Sequence, residues 1–156
     1  MHAQSTNQRG DTMAQTLEKR PDAKPQNGSL NTETSWTHSC TVASADEIVA
    51  FAMNLRTKNR GHLDHEVAVG MGYRTIFAPG GMIYSFIEEA VTRHAPRVVL
   101  REINLKFRNP LYAPSLVTVE CTVTDKDRAG TTVLVKVRDE SGILAFGTFR
   151  ILEPLR

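Results

Sequence analysis

Cysteine is nearly missing from this sequence: two residues in 156, Cys40 and Cys121, too far apart to form a CxxC pair. That spacing excludes a disulfide framework and a cysteine-paired structural zinc site, and it fits a reducing cytoplasm. Aromatic residues are sparse at 6%, with a single tryptophan, and no charge sign dominates. Nineteen basic and 17 acidic residues leave a formal charge of +2, so charge alone implies no nucleic acid. No apolar run approaches the ~18 residues needed to cross a bilayer. Residues 1–31 lack the apolar core of a secretory signal. A cytoplasmic protein with no membrane contact is expected. The sequence contains no glycine-rich phosphate loop, no nicotinamide or flavin fingerprint and no metal-ligand cluster, so neither cofactor nor metal is expected.

What is present suffices for one core. At 40% hydrophobic, 156 residues suit a single domain and leave no room for two substantial ones. The composition changes near residue 34. Residues 1–34 are rich in Gln, Asn, Thr, Ser, Asp and Lys, with Leu17 and Leu30 nearly their only large aliphatic residues. Such a segment cannot bury enough surface to offset its ordering entropy, so a disordered tail is expected, with the domain over 35–156. Removing the tail should leave thermal stability almost unchanged. Met13 is an alternative start.

From residue 35 the pattern alternates between element types. Residues 36–42 predict a first strand. Ser44-Ala45-Asp46-Glu47 reads as a capping box, and Ile48, Val49, Phe51, Ala52 and Leu55 then recur at helical spacing to about Arg56. Residues 57–64 read as a polar loop and 66–70 as one helical turn. Met82, Ile83, Phe86, Ile87 and Ala90 give the segment after Ala78-Pro79-Gly80-Gly81 a broad apolar face. It is the candidate buried central helix, ending near His94 before Pro96. Only strand signals come after it, over 98–107, 116–124, 131–138 and 143–152, with hairpin turns at Arg128-Ala129-Gly130 and Glu140-Ser141-Gly142. Helices first and a meander afterwards predict an α+β domain, one long central helix wrapped by a curved antiparallel sheet.

Four blocks then carry a family resemblance: FAMNLRTKNRGHLDHEVA, GYRTIFAPGGM, LKFRNPLYAPSLVTVECTV and GILAFGTFRIL. In this order they resemble the MaoC-like hydratases and dehydratases of the hot-dog fold. The resemblance implies a single hot-dog domain that adds water to, or removes it from, acyl groups held as thioesters of CoA or acyl carrier protein. It also implies a homodimer or higher homo-oligomer. The family's hydratase motif reads approximately D-x-N-P-x-H-x-D. The matching stretch here runs from Thr57 through Asn59, Arg60 and His62 to Asp64, so the first Asp is replaced by Thr57 and the Pro by Arg60. A Thr hydroxyl orients a water but is no general base near neutral pH.

His62 is therefore the main catalytic candidate, with an imidazole suited to proton transfer, against the plainer reading of a hydrogen-bonded loop histidine. Asp64 either assists it or caps a local turn. Gly80 and Gly81 open the central helix, where unpaired N–H groups and the dipole suit a thioester carbonyl; the resemblance puts the oxyanion site on Gly81. Thr57, Asn59 and Tyr84 are further substrate-side candidates, Tyr84 as acyl-pocket wall or ordinary core aromatic.

A rival reading rests on Glu88. The run from Pro79 through Gly80-Gly81 to Glu88 also resembles the helix start of hot-dog thioesterases, where an acidic residue attacks the thioester or activates water. The plainer reading makes Glu88 the polar edge of a helix. A non-catalytic acyl-binding protein is the third possibility. Arg93, Arg97, Arg101 and Arg108 supply positive charge that suits a phosphate or an acidic carrier protein, or simply a solvated surface.

Overall fold

The computed structural model describes residues 30–152; most of the expected tail, residues 1–29, lies outside them. Strand β1 (Ser35–Val42) leads into α1 (Ala45–Asn54), a 3-10 turn (Arg60–His62), α2 (His65–Gly70) and the long α3 (Gly80–His94). Four strands complete the chain: β2 (Val99–Phe107), β3 (Ser115–Asp127), β4 (Gly130–Asp139) and β5 (Gly142–Leu152). All pair antiparallel in one sheet of order β1-β3-β4-β5-β2. This is the expected hot-dog arrangement.

Local chemistry explains the element boundaries. Ser44 caps α1 by accepting the Glu47 N–H at 3.4 Å, and the Glu47 carboxylate reaches back to accept the Ala43 N–H at 2.8 Å. The capping box thus closes on the residue before the cap. The helix stops at Asn54, two residues short of expectation, because Arg56 turns into the left-handed region at φ 52°. At the hairpins, Asp127 and Asp139 accept the N–H groups of Ala129 and Ser141, and Gly130 and Gly142 take positive φ.

β3 and β4 bury one face by alternation, and β5 does so except where Leu144 and Ala145 are buried in succession beside its register shift. Val117, Val119, Cys121 and Val123 on β3 meet Val133, Val135 and Val137 on β4 and Phe149 and Ile151 on β5. Register shifts in the β2–β5, β3–β4 and β4–β5 ladders bend the sheet. Onto its concave face α3 lays Met82, Ile83, Phe86, Ile87, Ala90 and Val91, all buried. Trp36 on β1 ties strand to helix, donating its indole N–H to the Ala90 carbonyl at 3.1 Å and stacking on His94 at 4.3 Å.

The domain begins earlier than its composition suggests. Residues 30–34, read as the end of the tail, belong to the folded unit. Leu30 is 5% exposed within the core cluster, the Lys126 ammonium donates to its carbonyl, and the Thr34 carbonyl accepts the Val123 N–H. A single aliphatic residue in a polar stretch is invisible to compositional reasoning yet is enough to anchor the strand beside it. Leu30→Ala should therefore lower stability by about 2–3 kcal/mol, the cost of a truncated core leucine near the chain end, measured by urea unfolding.

Candidate functional site

The loop between α1 and α2 is built from short self-satisfying turns. The Thr57 hydroxyl accepts the Asn59 N–H at 3.3 Å, and the Asn59 side-chain carbonyl accepts the Gly61 N–H at 3.0 Å, capping the 3-10 turn. Asp64 caps α2 by accepting the Val67 N–H at 3.2 Å, and its other oxygen meets the exposed Arg60 guanidinium at 3.2 Å. These turns carry His62 inward, where it is 8% exposed.

The environment of His62 fixes its protonation pattern. Nδ1 lies 2.8 Å from the Phe77 carbonyl oxygen, and the ring sits edge-on to Phe77 at 4.5 Å. A carbonyl only accepts, so Nδ1 carries the proton and donates it there. The neutral ring then keeps its lone pair on Nε2, the nitrogen left open to accept a proton.

His62 lines a cleft of about 450 Å³. Tyr73 and Phe77 stack at 3.8 Å on one side of it, and Ala78, Ile83, Pro110 and Leu111 supply aliphatic wall. Phe107, Arg108 and Asn109 stand at the remaining side, with Arg108 over the Phe146 ring at 5.2 Å and Asn109 donating to the Ile143 carbonyl. The wall is held together across the chain: the Ala78 N–H donates to the Leu111 carbonyl at 2.8 Å. Gly80, at the start of α3, also faces the cleft. A Cβ there would come 2.9 Å from the Phe107 ring. Pro79 offers no side-chain cap to this helix end, while the Met82 N–H is satisfied by the Pro79 carbonyl. The result is a largely apolar trough with one imidazole, Arg108 and Asn109 on its wall, and one helix N-terminus.

The other sequence candidates fall outside the residues lining the cleft. Thr57 and Asn59 serve the turn. Gly81 packs toward α1, a Cβ there coming 2.8 Å from Leu55, so it is Gly80 that borders the cleft. Tyr84 is half-buried and meets Phe107 edge-on at 6.1 Å, supporting the wall from behind. Glu88 is exposed on the outer side of α3. Asp64 is a cap whose carboxyl is held below its ordinary 3.8 chiefly by the Val67 N–H, opposed by partial desolvation and helped by the Glu66 N–H and Arg60. Neither cysteine offers a nucleophile: burial, joined at Cys40 by the Glu89 carboxylate, pushes both thiols up to about 12.

Sequence reasoning missed Tyr73, Phe77, Pro110 and Leu111 as cleft residues; they stand on irregular segments where apolar periodicity has no meaning. It also found no metal-ligand cluster, yet the fold assembles one away from the cleft. His38, Cys40 and Glu89 bring an imidazole nitrogen, a sulfur and a carboxylate oxygen within 4.8 Å of one another, the one such group among the described residues. Two of these come from β1 and the third from α3, so linear spacing hides them. A His-x-Cys pair on a strand was the available signal, since alternate residues share a face.

Fold and cleft together define a hot-dog protein with a histidine-lined trough. The Thioesterase superfamily model matches residues 78–146. No curated protein sequence matches the chain. Among solved structures, it is similar to the ChsH1–ChsH2 complex from Mycobacterium tuberculosis, with 24% identity over 80% of this chain and 98% of that one, at TM-score 0.73. It is also similar to an (R)-hydratase from A. caviae involved in PHA biosynthesis (21% identity, 81% and 98% covered, TM-score 0.71). A MaoC-like dehydratase from Rhodospirillum rubrum shares 18% identity over 81% of this chain and 94% of its own, at TM-score 0.69. The resemblance to MaoC-like proteins read from the sequence is thus matched in three dimensions, and at these identities the likeness is one of fold.

The local roles of the loop residues are testable. Asn is as good an N-cap as Asp, so Asp64→Asn should keep α2 and any turnover that depends on His62 nearly unchanged. Because the folded carboxyl titrates below 3.8, its charged cap stabilises above that pH and is lost as pH falls through the lowered value. Asp64→Asn should flatten that acid limb in a thermal-melt series against pH; a collapse of turnover instead would make Asp64 part of the chemistry.

Proposed function

We propose that this protein is a hydratase or dehydratase acting on enoyl or 3-hydroxyacyl thioesters carried by CoA or an acyl carrier protein. The observation that carries the reading is the buried His62 ring, which donates Nδ1–H to the Phe77 carbonyl and keeps Nε2 basic beside an apolar cleft. In hydration, Nε2 takes a proton from water as the water oxygen bonds to Cβ of the enoyl group. The electron pair moves through Cα to the thioester carbonyl, forming an enolate. The imidazolium then returns the proton to Cα. The start of α3 at Gly80 supports the enolate oxygen with backbone N–H groups and the helix dipole. Dehydration runs the same steps backwards.

A second reading, thioester hydrolysis, is favoured by the Thioesterase superfamily match. The same Nε2 would then direct water at the thioester carbonyl carbon, with the thiol leaving. Glu88, exposed outside the cleft of its own subunit, would have to act in a neighbouring subunit's site. Product masses separate the readings. Incubation with crotonyl and longer enoyl thioesters should give a product heavier by one water with the thioester intact; hydrolysis would release free thiol, and a mere binder would change nothing.

Loss of general acid–base assistance costs ~10²–10⁴-fold in rate. His62→Ala should lose at least that much hydration, while Glu88→Gln should matter little. Thr57 lies outside the cleft lining and its hydroxyl serves the turn, so Thr57→Asp should raise the rate only if the new carboxylate reaches the water beside His62; an unchanged rate would assign position 57 to the turn alone. If His62→Ala turned over enoyl thioesters as well as the parent, the mechanism would be wrong.

The assembly reading concerns β2. It stands at the end of the sheet with its outer edge unpaired among the described residues, and it exposes Val99 and Phe107 at 57% and 50%. A free strand edge that carries exposed Val99 and Phe107 beside Arg101, Glu102, Asn104 and Lys106 offers backbone for pairing with a second copy. A homodimer or higher homo-oligomer is the expected mass by light scattering at micromolar concentration; a strictly monomeric mass would refute it.

A further inference from the structure

Between β1 and α3, on residues that do not line the cleft, the fold concentrates three metal-binding side chains. His38 and Cys40 alternate on β1, so both face the helix, and Glu89 approaches them from its third turn. One carboxylate oxygen of Glu89 lies 3.3 Å from His38 Nε2, and the other lies 3.6 Å from Cys40 Sγ. Zinc bonds of about 2.0 Å to nitrogen or oxygen and about 2.3 Å to sulfur, set tetrahedrally, separate donor atoms by about 3.3–3.8 Å. Each separation taken singly falls in that range, one to each carboxylate oxygen, and one donor atom from each residue lies within 4.8 Å of the other two, so a small inward shift of the side chains would seat an ion.

His38 Nε2 supplies the independent observation. The atom is shielded from solvent, and the Glu89 oxygen 3.3 Å away is a charge contact that meets no hydrogen-bond geometry. Buried polar atoms are normally satisfied, and an orphan calls for a missing partner. With Nε2 unprotonated and the thiol ionised, the nitrogen, the carboxylate and the sulfur all present lone pairs, a donor set that a cation satisfies. We propose that His38, Cys40 and Glu89 form a three-ligand site for a transition-metal dication, with Zn²⁺ the best match to the donor set.

The charges balance. Glu89 carboxylate and Cys40 thiolate contribute two negative charges against the dication, and binding releases the thiol proton to solvent with no change of oxidation state. Imidazole, thiolate and carboxylate together suit a borderline-soft ion and disfavour Mg²⁺ or Ca²⁺. Arg93 donates to Glu89 at 2.8 Å and orients the carboxylate from behind, as outer partners of metal ligands do. A fourth position remains for water. The bound ion would pin the edge strand β1 to the central helix at a point distinct from the cleft, so it is a brace and does not depend on the hydratase reading.

The test uses the full-length reduced protein and Co²⁺ as the probe. Titration should produce a one-to-one thiolate-to-cobalt charge-transfer absorption with tetrahedral d–d bands, abolished by excess Zn²⁺. Cys40→Ser should remove the charge-transfer band and Cys121→Ser should keep it. His38→Gln, which retains the thiol and a polar side chain, should weaken binding at least ~10-fold. Saturating Zn²⁺ should raise the melting temperature of the parent by mass action but not that of His38→Gln. Circular dichroism checks the fold of each variant; should Cys40→Ser not fold, His38→Gln decides alone. Absence of the band in the parent, its survival in Cys40→Ser, or unchanged affinity in His38→Gln would overturn the proposal.

Discussion

The burial of α3 in the hollow of the sheet constrains everything else. Six side chains along the helix lose contact with water there, the five large ones each worth about 1.5–3 kcal/mol by apolar transfer and Ala90 less. No other helix among the described residues concentrates so much apolar surface. Once the helix lies along the sheet its two ends have fixed destinations. The Gly80 end reaches the cleft below Phe107, and the Glu89–Arg93 stretch reaches the inner face of β1. The Trp36 indole bond to the Ala90 carbonyl sets how far along the strand the helix sits. Without that setting, neither the start of α3 at the cleft nor the His38–Cys40–Glu89 group would be placed where it is.

Much of this was legible in the sequence because the signals were periodic. The apolar repeat of Met82, Ile83, Phe86, Ile87 and Ala90 marks a helix, the Val- and Thr-rich alternation of the strands after it marks a sheet, and Gly130 and Gly142 mark turns. The hidden parts are those where one residue acts alone. Leu30 stands in a stretch too polar to read as core, yet it is buried. The cleft walls Tyr73, Phe77, Pro110 and Leu111 come from loops, whose conformation depends on tertiary contacts such as the Ala78–Leu111 backbone bond. The metal-type cluster joins β1 to a helix far along the chain, and no local pattern encodes that.

The loop before α2 shows how residues that resemble a catalytic motif can be taken up by local structure. Asn59 and Asp64 match the hydratase pattern, but both spend their oxygens on backbone N–H groups of the loop itself. Their effect on the site is indirect: by closing the turns on either side they leave His62 little freedom except to enter the cleft. Arg60, in place of the pattern's proline, adds an exposed pair with Asp64 that contributes little by itself, since such surface pairs are typically worth about 0–1 kcal/mol. Motif residues can thus be kept for shape as well as for reaction.

The chemistry of such a site turns on proton accounting. Where both a carboxylate and an imidazole are present, one group can take the water proton while the other supplies a proton to carbon. With Thr57 in the first position and its hydroxyl engaged by the Asn59 N–H, a His62-centred site has one titratable group for both jobs. The Nδ1–H bond to Phe77 cannot release its proton to the carbonyl, which leaves Nε2 as the nitrogen open to a substrate. Under the proposed hydration, the proton taken from water would be the one delivered to Cα, from the same ring position and therefore to the same face of the acyl chain as the new hydroxyl. A buried ring held by one strong hydrogen bond and an edge-on phenylalanine suits that double duty, because it keeps Nε2 in place between the two half-reactions.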